Sequence, residues 1–91
     1  MTNHPFVTFN GRRSEARLPP YGTKFADNPT PLIWLLSNVG PGAAAVYCGP
    51  PGMPAREYCD LMPGHQIDLQ AATVVLQSRD HLGTTIAIKT A

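Results

Sequence analysis

Charge is scarce in this chain of 91 residues: Asp, Glu, Lys and Arg make up 14% of it, against roughly a quarter in an average protein. The formal net charge is +1, too little for the basic stripe that holds a phosphate backbone, so nucleic acid is not an expected partner. Long apolar runs are missing too. The longest, Leu32–Leu36, falls far short of the ~20 residues that cross a bilayer. The opening MTNHPF has neither the basic start nor the apolar stretch of a secretory signal, so the chain is expected to be made and to fold in a cytosol. His4, His65, His81, Cys48 and Cys59 show none of the close paired spacings of a zinc site. No Gly-x-Ser-x-Gly elbow and no phosphate-cradling glycine loop occurs, and these motifs would mark acyl or phosphoryl chemistry. Neither a cofactor nor an enzymatic reaction is therefore expected. An enzyme would have to build its site from Asp60, His65 and Asp68, completed at a subunit interface.

Turn formers, by contrast, are plentiful. Ten prolines and eight glycines argue against long helices and cut the chain into short segments. The length is that of one small domain, which buries proportionally less of its surface than a large one. Few charges on so small a chain suggest that other subunits cover part of the surface.

The stretch Glu57–Leu69 is the most informative. Pro63-Gly64 suits a type II turn, proline presetting φ at the second position and glycine accepting the positive φ that follows. Beyond it, Ile67 and Leu69 share one face and Gln66 and Asp68 the other, the period of a half-buried strand. Before it, Cys59 and Leu61 share a face. A short helix is the competing reading, with Ala55, Tyr58, Cys59 and Met62 at helical spacing behind Pro54. Two turns of helix are marginal without packing, which favours the strand.

Leu32–Asn38 is apolar on both faces and suits a central strand, with a short helix capped by Thr30-Pro31 as the alternative. After Asn38–Gly42 breaks the chain, Ala44, Val46 and Cys48 share one face of a further strand. Gln70-Ala71-Ala72 reads as a bend, Thr73–Gln77 as a strand with Val74 and Leu76 on one face, and Thr84–Thr90 as a closing strand with Ile86 and Ile88 inward and Ala87 and Lys89 outward. The fold class is accordingly all-β: a small antiparallel β-sandwich or barrel of five to six strands, residues 32–91, preceded by an extended N-terminal arm, residues 1–31. Cys48 and Cys59 are read as free thiols, the common state in a reducing compartment, with a cross-strand disulfide as the other possibility.

The arm carries Phe6, Phe9, Tyr21 and Phe25 among five prolines, and four basic side chains against two acidic, a formal +2. Disordered tails are poor in aromatics, so an arm that lies along a neighbouring subunit is expected. Its contacts would be Phe6, Phe9, Arg12, Arg13, Arg17, Leu18, Tyr21 and Phe25, with Met53 at the tip of the stiff loop Gly49–Pro54 as a further one. For the arginines the plainer reading is solvated surface charge, and for the loop a simple connector.

The pattern Leu61-Met-Pro-Gly-His-Gln-Ile-Asp-Leu69, followed by a Val-rich strand and a short last strand, resembles small β-sandwich virion proteins of tailed bacteriophages. The resemblance covers the last sixty residues or so. It implies a structural protein that decorates or cements a capsid from outside, often as a trimer, with the major capsid protein or other virion subunits as partners. The other reading is a small bacterial β-domain that binds a peptide or ligand at a sheet edge.

Overall fold

The computed structural model describes residues 14–50 and 53–90. Among these, six strands follow one another: β1 Ser14–Leu18, β2 Thr23–Asn38, β3 Ala44–Gly49, β4 Arg56–Leu61, β5 Gln66–Ser78 and β6 Thr84–Thr90. They form one antiparallel sheet in the order β1-β6-β2-β5-β3-β4. Leu32–Asn38, Glu57–Leu61 and the closing segment are strand, as their sequence patterns indicate. Of the segment read as an arm, residues 14–18 and 23–31 are strand as well, bound into the sheet through β6 and β5. Residues 1–13 lie outside the described residues.

Two strands are long, and both bend. Between Asp27↔Thr73 and Leu32↔Ala71 the register slips: β2 spends residues 28–31 where β5 spends Ala72 alone. Pro29 and Pro31 fall inside this interval, and neither has an N–H to give a ladder. On β5 the consequence is a change of face. Ile67, Leu69 and Ala71 point inward before the bend, and Ala72, Val74, Leu76 and Ser78 after it, so Ala71 and Ala72 are buried in succession. Only small side chains fit the inside of such a corner. Trp34 Nε1 donates to Ala71 O at 2.7 Å, giving a partner to a carbonyl where the ladder is interrupted.

The bend folds the sheet into two leaves. One holds β1, β6, the end of β2 and the start of β5; the other holds the start of β2, the end of β5, β3 and β4. Leu18, Leu36, Leu69 and Ile86 from the first meet Val46, Leu61, Val74 and Leu76 from the second in a single core. Burying each such side chain contributes about 1.5–3 kcal/mol.

Pro63-Gly64 makes the expected turn: His65 N donates to Met62 O at 3.1 Å, and Gly64 has φ 83. It does not make a hairpin. β4 pairs with β3, while β5 pairs with β2 and β3, so the turn is an arch between the leaves. From Thr73 onward both edges of β5 are occupied, by β2 and β3. Asp60 and Asp68 are in register with Ala45 of one leaf and Leu35 of the other, so they do not face one another across this turn.

One end of the fold is tied by Asn38, which is 1% exposed. Its Nδ2 donates to Gly42 O and Leu61 O, both at 2.8 Å, and its Oδ1 accepts from Thr84 Oγ1 at 2.6 Å and Gly40 N at 3.1 Å. All of its side-chain hydrogen-bonding capacity is used. The end of β2, the loop after it, the end of β4 and the start of β6 meet on this one amide.

Candidate partner-binding groove

β1 and β2 are joined by Pro19–Gly22. Gly22 N donates to Pro19 O at 2.8 Å, and Tyr21, third in the turn, has φ 55, a value more commonly met at glycine. Past this turn the two strands part. β1 pairs with β6 and the start of β2 pairs with β5, and among the described residues no ladder joins β1 to β2. Each therefore presents a strand edge, and between them runs a groove of about 110 Å³. Its floor is core side chain: Trp34, Val74, Leu76 and Ile88. Ala16 and Phe25 form the walls, with Glu15 on the β1 side and Lys24 on the β2 side at the rim. The groove exists because β1 and β2 do not close on each other above these side chains.

Two other hollows are broader. One, of about 420 Å³, lies over Cys48, Gly49 and the β5 bend; another, of about 250 Å³, lies on the outer face of the first leaf beside Leu35 and Lys89. Both are more open than the groove and are not floored by the core side chains that give it depth.

The residues expected to contact a partner divide into three groups. Phe6, Phe9, Arg12 and Arg13 lie outside the described residues. Leu18 is a correction: it is 3% exposed and packs in the core, because alternation along Ser14–Leu18 turns Ala16 and Leu18 inward together. Arg17, Tyr21, Phe25 and Met53 are exposed, Phe25 to 72%. Of these Phe25 lines the groove, Tyr21 stands in the turn that closes it, and Met53 belongs to the β3–β4 loop and does not line it. Sequence reading missed Trp34, Val74 and Ile88 as site residues. They looked like core, and they are core. Only the missing β1–β2 ladder makes them the floor of a groove.

Nor are the residues for a catalytic alternative brought together. Asp60 is exposed on β4, 3.4 Å from Arg79, and Asp68 is buried on β5 in the other leaf. Among the described residues no three His, Cys, Asp or Glu side chains are grouped as metal ligands. Cys48 and Cys59 are free thiols on adjacent strands. Burial pushes both thiols above their ordinary pKa, and Asp60 and Cys48 push Cys59 further the same way. At neutral pH both are protonated and poorly nucleophilic.

No family model matches this sequence, and no curated protein matches it. Solved structures do. The Drosophila melanogaster CENP-C cupin domain superimposes with a TM-score of 0.66 at 15% identity, over 98% of this chain and 65% of that one. A second crystal structure of that CENP-C domain gives 0.67 at 15% identity, over 94% and 62%. Drosophila melanogaster CENP-C bound to CAL1 gives 0.67 at 15% identity, over 98% and 69%. The chain thus spans roughly two thirds of the length of the structures it matches. At this identity the likeness establishes the fold, which is cupin-like and all-β.

The likeness also overturns the capsid reading. The matched structures are CENP-C cupin domains, one with a protein bound, rather than capsid decoration proteins. The major capsid protein as partner, the trimer and the place on a virion were implied by that reading alone. The reason for the error is physical. Leu61–Leu69 encodes a type II turn between two strands, a local geometry that many folds share and that carries no function of its own.

Proposed function

We propose that this chain is a protein-binding β-domain that takes an extended segment of a partner along the edges of β1 and β2. The observation that carries the reading is the groove: two strand edges without a mutual ladder, with core apolar side chains at the floor between them. Strand addition at such an edge draws affinity from main-chain hydrogen bonds, and side chains entering a pocket supply selectivity. The fold likeness supports it, since one matched cupin domain carries a bound protein, CAL1. The reading assigns the chain no reaction.

A random peptide library selected on the folded domain, followed by amide hydrogen exchange of the enriched complex, tests it. Enriched peptides should slow exchange at the outward amides of Ser14–Leu18 or Thr23–Asp27. They should also lose binding to Phe25→Glu, a change at an exposed site expected to alter stability by less than about 0.5 kcal/mol. Protection confined to β4, or binding untouched by Phe25→Glu, would place the interface elsewhere and sink the proposal.

A further inference from the structure

Resting on that reading, we infer that the groove selects a peptide by a single branched aliphatic side chain, with an acidic residue on its β2 side and a basic one on its β1 side. Size gives the first half of the argument. The groove holds about 110 Å³, less than the ~150 Å³ of an engineered cavity that accepts benzene. A leucine, isoleucine or valine side chain fills such a space. A phenylalanine ring would stand partly out of it, and alanine leaves a void whose lining atoms lose their contacts.

Polarity narrows the choice further. The one hydrogen-bonding side-chain group on the floor is the Trp34 indole, and its Nε1 already donates to Ala71 O at 2.7 Å. Val74, Leu76, Ile88 and Ala16 offer none. A serine or asparagine entering the groove would be stripped of water with no side-chain partner there to replace it, which is unfavourable. Phe25, exposed on the wall, is placed to close over an aliphatic anchor and gains apolar contact in doing so.

The rim sets direction. Lys24 stands on the β2 side and Glu15 on the β1 side. Exposed charges of this kind add little affinity, but they favour one orientation of a bound segment over its reverse.

The single tryptophan of the chain is Trp34, so its fluorescence reports directly on the groove floor. The probes are tryptophan-free, threonine-rich peptides with a variable central residue, an aspartate on one side and a lysine on the other, and the same set with the charges exchanged. Peptides centred on Leu, Ile or Val should shift Trp34 emission and bind at least about tenfold more tightly than those centred on Ala, Ser or Phe. One charge order should be preferred severalfold, and the pair Glu15→Lys with Lys24→Glu should reverse that preference while leaving the fold intact, both sites being exposed. Peptides that bind equally whatever their central residue, or best with Phe, overturn the aliphatic assignment alone. A charge preference that survives the exchange overturns the orientation. If no peptide binds, the protein-binding reading itself falls, and this inference with it.

Discussion

Asn38 shows how much a single polar side chain can fix. It is buried, it makes two donations and two acceptances, and its partners lie in the loop that follows it, at the end of β4 and at the start of β6. Removing the amide strands the carbonyls of Gly42 and Leu61 and the hydroxyl of Thr84 in a space that water does not reach. A buried group left without its partner costs about 1–3 kcal/mol, so Asn38→Ala should destabilise by roughly 2–4 kcal/mol with some relaxation. The check is urea unfolding: the midpoint should fall sharply while the slope stays unchanged. A loss below about 0.5 kcal/mol would mean that the amide is not the tie it is described as. Nothing local marks Asn38 out in the sequence, where Asn38-Val39-Gly40-Pro41-Gly42 reads simply as a break. Its partners stand as far as 46 residues away, and a window of neighbours cannot contain them.

At the scale of elements, the bend of β2 and β5 decides the architecture. The prolines at 29 and 31 were read as signs of an arm, yet they sit inside a strand and interrupt its ladder. Gln70-Ala71-Ala72 was read as a bend, and a bend is what it forms, although the strand runs on through it. Ala72 is fully buried at the inside of that corner. Ala72→Leu adds three carbons to a side chain with no exposed surface, and overpacking of this kind costs about 1–3 kcal/mol. A matching fall in melting temperature, with the β-sheet circular dichroism of the native state retained at low temperature, is the expected result. A neutral outcome would show that the leaves separate easily at the bend. The turn at Pro63-Gly64 was legible because its stereochemistry is local. That the strands on either side of it do not pair with each other was not legible, because pairing depends on which edges other strands have left free.

For the molecule as a whole, Cys48 and Cys59 lie half-buried against the core. Burial raises both thiols from an ordinary pKa of 9.0. The folded state therefore disfavours the thiolate, and this contribution to stability is complete below the unfolded pKa and lost as pH rises through the folded one. The native protein should weaken above pH 9.0, and the double variant Cys48→Ala with Cys59→Ala should weaken less over the same range. Urea midpoints at neutral and alkaline pH, compared between the two proteins, measure the difference. Equal slopes against pH would remove the thiols from the account.

By itself the sequence determined which residues face inward on most strands and where several of the turns fall. Alternation put Val74 with Leu76 on one face and Ile86 inside, and all three are buried; Ala44 and Val46 were grouped likewise, but Ala45 between them and Ala87 beside Ile86 are buried too, which alternation did not give. Alternation follows from the two-residue period of a strand, and turns follow from the stereochemistry of proline and glycine, so both can be read from neighbours along the chain. Only the tertiary structure decided the order β1-β6-β2-β5-β3-β4, the separation of β4 from β5, and the open slit between β1 and β2. Those depend on how two bent strands share out the available edges, and that choice is made between residues far apart in sequence. The groove is legible last of all: its floor is written in the code of a core, and only the edge that no strand covers turns it into a surface for a partner.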